Sequence, residues 1–190
     1  MTKIRIRRAR QEDLEAVLDL WQEMMDYHAR LDPRFQPVAD GREHFRPAVL
    51  EWMADDTWRV LVAVADGQVV GYIIGRLAEN PPVFEMRNFG YVTDICVAPD
   101  WRRTGVGRRL FAALRNWLRH RGLTVVQLNA AACNPTSQAF WREMGFQDFL
   151  NRFSQKFHLP IIQNGLSTSP LYIFKEFKSY KHLLPIHFFC

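Results

Sequence analysis

The sequence predicts an α/β fold of the α+β kind, with helices laid against a β-sheet. Three observations carry that expectation. Residues 60–65 and 69–77 are apolar, β-branched runs on either side of Asp66-Gly67, the strongest short-range signal for a hairpin. Residues 106–118 repeat apolar side chains at Val106, Leu110, Leu114, Trp117 and Leu118, one face of a helix of about four turns. The length of 190 residues suits one domain with or without an appendage, and 48% hydrophobic with 24% charged residues excludes wholesale disorder and low complexity.

The remaining elements follow in chain order. Ile4 and Ile6 alternate with arginines as in a half-buried strand, and residues 11–25 then place Leu14, Val17, Leu18, Trp21 and Met25 at helical spacing. Pro33 and Pro37 make residues 31–40 a loop, and residues 45–53 read as a shorter helix. After the hairpin, Pro81-Pro82 breaks the chain before a third β-rich run at 89–97, which Pro99 stops. Gly122 closes the helix that begins near Val106. A strand is expected at 124–130, a helix at 134–144 ending at Gly145, and a strand at 146–157. Beyond Phe157 Glu176 is the one acidic residue and aromatics and lysines dominate, so the domain is taken as 1–157 and the tail as 158–190, with a further strand at 171–177.

No apolar run approaches the roughly 20 residues of a membrane span, and no apolar stretch follows the basic N-terminus, so a cytoplasmic protein without a membrane partner is expected. Cys96, Cys133 and Cys190 are odd in number and widely spaced, which suggests neither a disulfide framework nor a metal site. The net charge of +5 favours anionic partners in general. It is concentrated: Arg102, Arg103, Arg108, Arg109, Arg115, Arg119 and Arg121 lie between Asp100 and Gly122 with no acidic residue among them. These arginines surround a glycine turn and do not line one helix face with interleaved aromatics, which argues against a nucleic-acid partner.

Arg102-Arg103-Thr104-Gly105-Val106-Gly107 falls between a strand and a helix. Glycines permit close backbone approach, and a helix start offers unpaired N–H groups and a dipole that favour an anion. Phosphate or pyrophosphate binding therefore stands beside the plainer reading that the two glycines only shape a tight turn. A Walker loop is excluded because Arg108-Arg109 stands where Lys-Ser or Lys-Thr is required. A Rossmann fingerprint fails because Leu110 occupies the third glycine position and the segment comes late in the chain.

The run Asp94-Ile95-Cys96-Val97-Ala98-Pro99-Asp100-Trp101-Arg102-Arg103-Thr104-Gly105-Val106-Gly107 resembles the acetyl-CoA motif of the GNAT acetyltransferase superfamily. Asn134-Pro135-Thr136-Ser137-Gln138-Ala139-Phe140-Trp141-Arg142-Glu143-Met144-Gly145-Phe146 is similar to that family's Asn-led helix ending in Gly-Phe. The resemblance implies a mixed, mostly antiparallel sheet of six to seven strands flanked by about four helices, and transfer of an acetyl group from acetyl-CoA to a small-molecule or peptide amine. It assigns the pyrophosphate to the backbone of Arg103, Thr104, Gly105, Val106, Gly107 and Arg108, with Arg102 adding charge. It gives the pantetheine arm and acetyl carbonyl to the strand at Ile95, Cys96 and Val97, with Asn134 and Trp141 also on the cofactor side. Asn134 is equally expected to cap its own helix.

The resemblance leaves the proton transfers open. An alkylamine with a pKa near 10.4 is almost wholly protonated at pH 7, so a base must act. The family's tyrosine on the Asn-led helix is here Trp141, and the glutamate some members carry on the preceding strand is Asn129; neither can do that work. Asp94 is the expected base, ahead of Glu85, Tyr27 and His28. Tyr91 or Tyr72 is the expected acid, unless solvent protonates the thiolate. Met25, Tyr27, His28 and Phe35 are the expected acceptor contacts. A non-catalytic acyl-CoA-binding module is the rival reading, no metal is expected, and a homodimer is left open.

Overall fold

The alternation at the N-terminus forms β1 (Arg5–Arg8), which leads into α1 (Leu14–Leu31) through one tight turn. The structure is a computed structural model that describes residues 3–155. Arg7 donates two hydrogen bonds to Asp13, at 2.5 and 2.8 Å, and Asp13 also accepts the Arg10 amide at 2.7 Å. Burial pushes the Asp13 carboxyl up, but the Arg7 and Arg10 contacts outweigh it and hold the group below the usual carboxylate range.

Helix α1 runs six residues past Met25, the end that spacing suggests. It stops where a residue must precede proline: Asp32 is extended, at φ −156° and ψ 117°, and its carboxylate accepts the Arg34 amide at 2.9 Å. Helix α2 (Gly41–Ala54) starts four residues before the expected Phe45. An aromatic column ties it to its neighbours, with Trp21 stacked on Phe45 and Trp52 stacked on Trp58, both at 4.5 Å between ring centres.

The expected hairpin is present as β2 (Trp58–Ala65) and β3 (Gln68–Glu79), followed by β4 (Asn88–Val97), α3 (Val106–His120), β5 (Val126–Leu128) and α4 (Pro135–Glu143). The sheet order is β1-β2-β3-β4-β5, antiparallel except for the parallel pair β4 and β5. The mixed, mostly antiparallel class is thus the observed one, with five strands among the described residues instead of six to seven. Residues 146–155 form no strand: a strand needs a partner edge, and Phe149, Leu150 and Phe153 are 71%, 77% and 89% exposed. The tail, its boundary at 157 and the strand expected at 171–177 lie outside the described residues.

Helices α1 and α2 cover one sheet face over Val60, Val62, Tyr72, Ile74 and Cys96, while α3 and the rings of α4 cover the other over Ile73, Val92, Ile95 and Val97. The leucine stripe of α3 can lie close because the sheet presents glycines beneath it. A Cβ on Gly75 would come within 2.6 Å of Leu114, and one on Gly90 within 2.5 Å of Leu118. Leu110, Leu114 and Leu118 are fully buried as a result, each contributing about 1.5–3 kcal/mol. Among the described residues no helix is long and apolar enough to cross a membrane.

Candidate active site

The sheet opens where β5 ends. Strand β5 pairs with β4 at Gly90, Tyr91 and Val92, so the five residues of β4 from Thr93 to Val97 run on without a β5 partner. The register against β3 jumps there: Ile74 faces Asp94 and Gly75 faces Val92, leaving Thr93 as the extra residue of a bulge. Before the bulge, the Gly90 amide points to β5 and donates to Val125 O at 2.9 Å. After it, the Ala98 amide donates to Val70 O on β3 at 3.0 Å, so by strand alternation Cys96 also faces β3 while Ile95 and Val97 turn their backbones to the open edge. Val97 O on that edge accepts a hydrogen bond from Arg102 Nε at 2.9 Å. Cys96, expected on the cofactor side, is the exception in this strand: its backbone belongs to the β3 ladder and its side chain to the core under α1.

The open edge leads into the glycine turn. Arg103 at φ 61° and Gly105 at φ 88° both adopt left-handed backbone, which curls the loop and makes Gly105 the N-cap of α3. Gly105 O accepts the Arg109 amide at 3.1 Å, whereas the amides of Gly105, Val106, Gly107 and Arg108 have no acceptor among the described residues. Thr104 Oγ1 donates to Trp101 O at 2.6 Å and braces the bend. Gly107 also has a packing reason, since a Cβ there would sit 3.3 Å from Phe140 of α4.

The arginine cluster is less available than its sequence density suggests. Arg102 pairs with Glu23 at 2.8 Å, Arg108 with Glu143 at 2.7 Å, and Arg109 donates to Ile4 O at 2.6 Å. Arg115 lies over Phe111 and Arg121 over Trp117. At the turn itself Arg103 is the exposed cation without such a contact among the described residues.

Asn134 is fully buried and caps α4, its Oδ1 accepting the Ser137 amide at 3.0 Å. Its Nδ2 lies 3.3 Å from Nε2 of His28, whose Nδ1 lies 2.9 Å from Met24 O. A carbonyl only accepts, so Nδ1 carries the proton, and Nε2 is the acceptor for the Asn134 amide. His28 is therefore a neutral, fully buried latch between α1 and α4. Trp141 is 3% exposed among Phe111, Phe140 and Phe146, enclosed on the far face from α1. The side chains of Asn134, Trp141, His28 and Met25 are buried in this arrangement, while Tyr27 and Phe35 stay half-exposed, with Phe35 edge-on to His28 at 5.8 Å.

The two expected acid–base residues come together on the α1 and α2 face. Tyr91 and Asp94 are 2% exposed, and the bulge puts both on that face. Burial pushes the Tyr91 phenol up to about 12; Arg76 and Arg152 oppose the rise and the Asp94 charge adds to it. Arg76 is the residue sequence reasoning missed. It lies directly between Trp58 and Tyr91 in the strand register, with its guanidinium 5.5 Å from the Trp58 ring and 5.6 Å from the Tyr91 ring. The signal was its phase, because in β3 it shares the inward set with Tyr72, Ile74 and Ala78.

A sheet splayed beside a glycine-led helix start is the architecture of the acetyltransferase (GNAT) family, whose model matches residues 15–146. The chain belongs to that family. It is 30% identical over 95 residues to an aminoglycoside N(6')-acetyltransferase type 1 of Stenotrophomonas maltophilia, covering 46% of this chain and 58% of that one. It is also 30% identical over 94 residues to an L-2,4-diaminobutyric acid acetyltransferase of Nocardia farcinica, covering 50% and 46%. The chain thus spans about half the length of these curated relatives. The fold is shared with an aminoglycoside antibiotic 6'-N-acetyltransferase structure from Acinetobacter haemolyticus, at 23% identity and a TM-score of 0.64, covering 81% of this chain and 99% of that one.

Proposed function

We propose that this protein transfers an acetyl group from acetyl-CoA to a primary amine of a small molecule by direct attack. The observation that carries this reading is the continuity of two sets of backbone groups: the edge of β4 at Ile95 and Val97, which no described strand pairs, and the four amides at residues 105–108, which have no acceptor among the described residues. The amides suit a diphosphate, since they are clustered, point outward and carry the positive end of the α3 dipole. Arg103, with the Thr104 bend behind it, supplies the nearest exposed charge. The extended edge suits an amide-bearing arm that pairs as an extra strand would.

Acetyl-CoA supplies a thioester whose acyl carbon accepts an amine and whose thiol leaves. The backbone of β4 orients the acyl group, and an amide donor there stabilises negative charge developing on its oxygen. Asp94 takes the proton from the incoming ammonium, directly or through a water. Tyr91 stays protonated throughout the working range, because its phenol ionises only near 12. A phenol at that value is a poor donor to a thiolate of pKa about 8.5, so in this reading Tyr91 is not the acid and solvent reprotonates the thiol. The names of the two curated relatives specify an aminoglycoside and a diamino acid, both small-molecule amines. A cytoplasmic setting fits a chain in which Cys96 and Cys133 form no disulfide with one another.

Thermal-shift titration with acetyl-CoA tests the binding half, with about 2.7 kcal/mol of stabilisation expected at 100 times the dissociation constant. Thiol release across a panel of amines tests the transfer. Binding without release from any amine would turn the protein into the acyl-CoA-binding module that the enclosed Trp141 favours; absence of binding would remove both readings.

A further inference from the structure

We propose that the acceptor is an amine that also carries a carboxylate, and that Arg76 holds that carboxylate. The proposal rests on the acetyl-transfer reading above and deepens it. Arg76 belongs to the middle of the sheet, on the face where Asp94 and Tyr91 meet, and its Nε is buried without a hydrogen-bond partner among the described residues. Among the described residues it makes no ion pair, and its contacts are the two flanking rings of Trp58 and Tyr91. Of the other arginines on this side, Arg42 and Arg46 are tied to Glu15, and Arg34 to Asp32. A half-buried guanidinium with no anion among the described residues is costly to hold, and two aromatic faces offset only part of that cost. Its planar fork is the side chain best matched to a carboxylate.

The placement also suits a single small molecule. Arg76 lies one strand over from Asp94 and two residues along from Ile74, the partner of Asp94 in the register. With strands about 4.8 Å apart and about 3.4 Å per residue, the two backbones are about 8 Å apart diagonally on the same face. An amino acid with its ammonium toward Asp94 and its carboxylate toward Arg76 spans that order of distance. Arg152 acts on Tyr91 as a second cation beside Arg76, so the surroundings of the phenol are positive. A polycation such as an aminoglycoside would meet like charge there.

The test is thiol release with amines matched except for the carboxylate: L-2,4-diaminobutyrate against 1,3-diaminopropane, and lysine against cadaverine. Lysine amide and a C-terminal lysyl peptide separate a free amino acid from a peptide source. The wild-type protein is expected to favour the acids at least tenfold in kcat/KM. Arg76→Gln is expected to bring that ratio toward one, chiefly through the KM of the acid, and Arg76→Lys to retain part of it. A wild-type preference for the diamines, or an unchanged ratio in a folded Arg76→Gln protein, would overturn the proposal. If neither variant folds, the wild-type comparison still decides. If no amine releases thiol, acetyl transfer itself fails; calorimetric binding of the same pairs with CoA present then reads the carboxylate preference alone, and equal affinities would overturn it.

Discussion

Replacing Gly105 separates a backbone grip on the cofactor from attraction by nearby charge. At φ 88° a side chain is strained, yet a Cβ there meets no atom within 4 Å, so the penalty is conformational and not steric crowding. Holding Ala or Val in the left-handed region costs about 1–2 kcal/mol, which for a chain of this size lowers the melting temperature by roughly 2–8 °C. The alternative open to the variant is to relax the bend, which re-aims the amides of residues 105–108. Losing one charge-assisted hydrogen bond there is worth about 1.5–3 kcal/mol, or roughly a tenfold to hundredfold rise in the dissociation constant. Gly105→Val is therefore expected to weaken CoA binding by calorimetry at least tenfold, with a native circular-dichroism spectrum. Arg103→Gln, which leaves the amides in place, should weaken it less and mainly at low salt. Unchanged CoA affinity in a folded Gly105→Val protein would refute the amide grip.

Gly90→Ala drives a methyl toward Leu118, to within 2.5 Å of its Cδ1, and should destabilise by about 1–3 kcal/mol in urea titration; adding Leu118→Ala should recover part of that loss, shown as coupling in the double-mutant cycle. Asp13 is held below its ordinary range in the folded state, so its contribution is complete above the unfolded carboxylate pKa near 4 and is lost as pH falls through the folded value. Asp13→Asn should then be less stable than wild type by about 2–3 kcal/mol at pH 7, with the gap narrowing below pH 4 in urea midpoints. Tyr91 is raised, so the sign reverses: the stability its neutral form contributes is complete below pH 10 and is lost as pH rises toward 12. Ultraviolet titration should show one phenol near 12 that Tyr91→Phe removes. His28→Leu deletes the acceptor for one Asn134 donor and should cost about 1–3 kcal/mol, read as a lower melting temperature.

How much of this was legible depended on how local the cause was. The Asp66-Gly67 hairpin and the α3 stripe are written in adjacent residues, and so is the positive φ of Gly105 between a strand and a helix. The burial of His28 was not legible because it depends on Asn134, 106 positions away, and nothing near His28 announces that partner. The arginines of the turn looked free for the same reason: Glu23 and Glu143, which hold Arg102 and Arg108, enter from α1 and α4. Residues 146–157 carry a passable strand pattern, but pattern alone does not supply an edge. Arg76 was visible only as a charge in an inward phase, and its significance came from having Trp58 and Tyr91 as cross-strand neighbours.

The extra residue at Thr93 changes the path of β4 without changing its partners. Gly75 faces Val92 and Ile74 faces Asp94, so a chain lacking Thr93 would run the same pairs as one unbroken ladder. What the surplus residue adds is a bend and extra twist, set just where β5 stops accompanying β4. A deletion of Thr93 should therefore keep the register and straighten the strand. The parting of two neighbours is stored here in chain length between fixed points, a kind of information that residue-by-residue substitution scans are blind to.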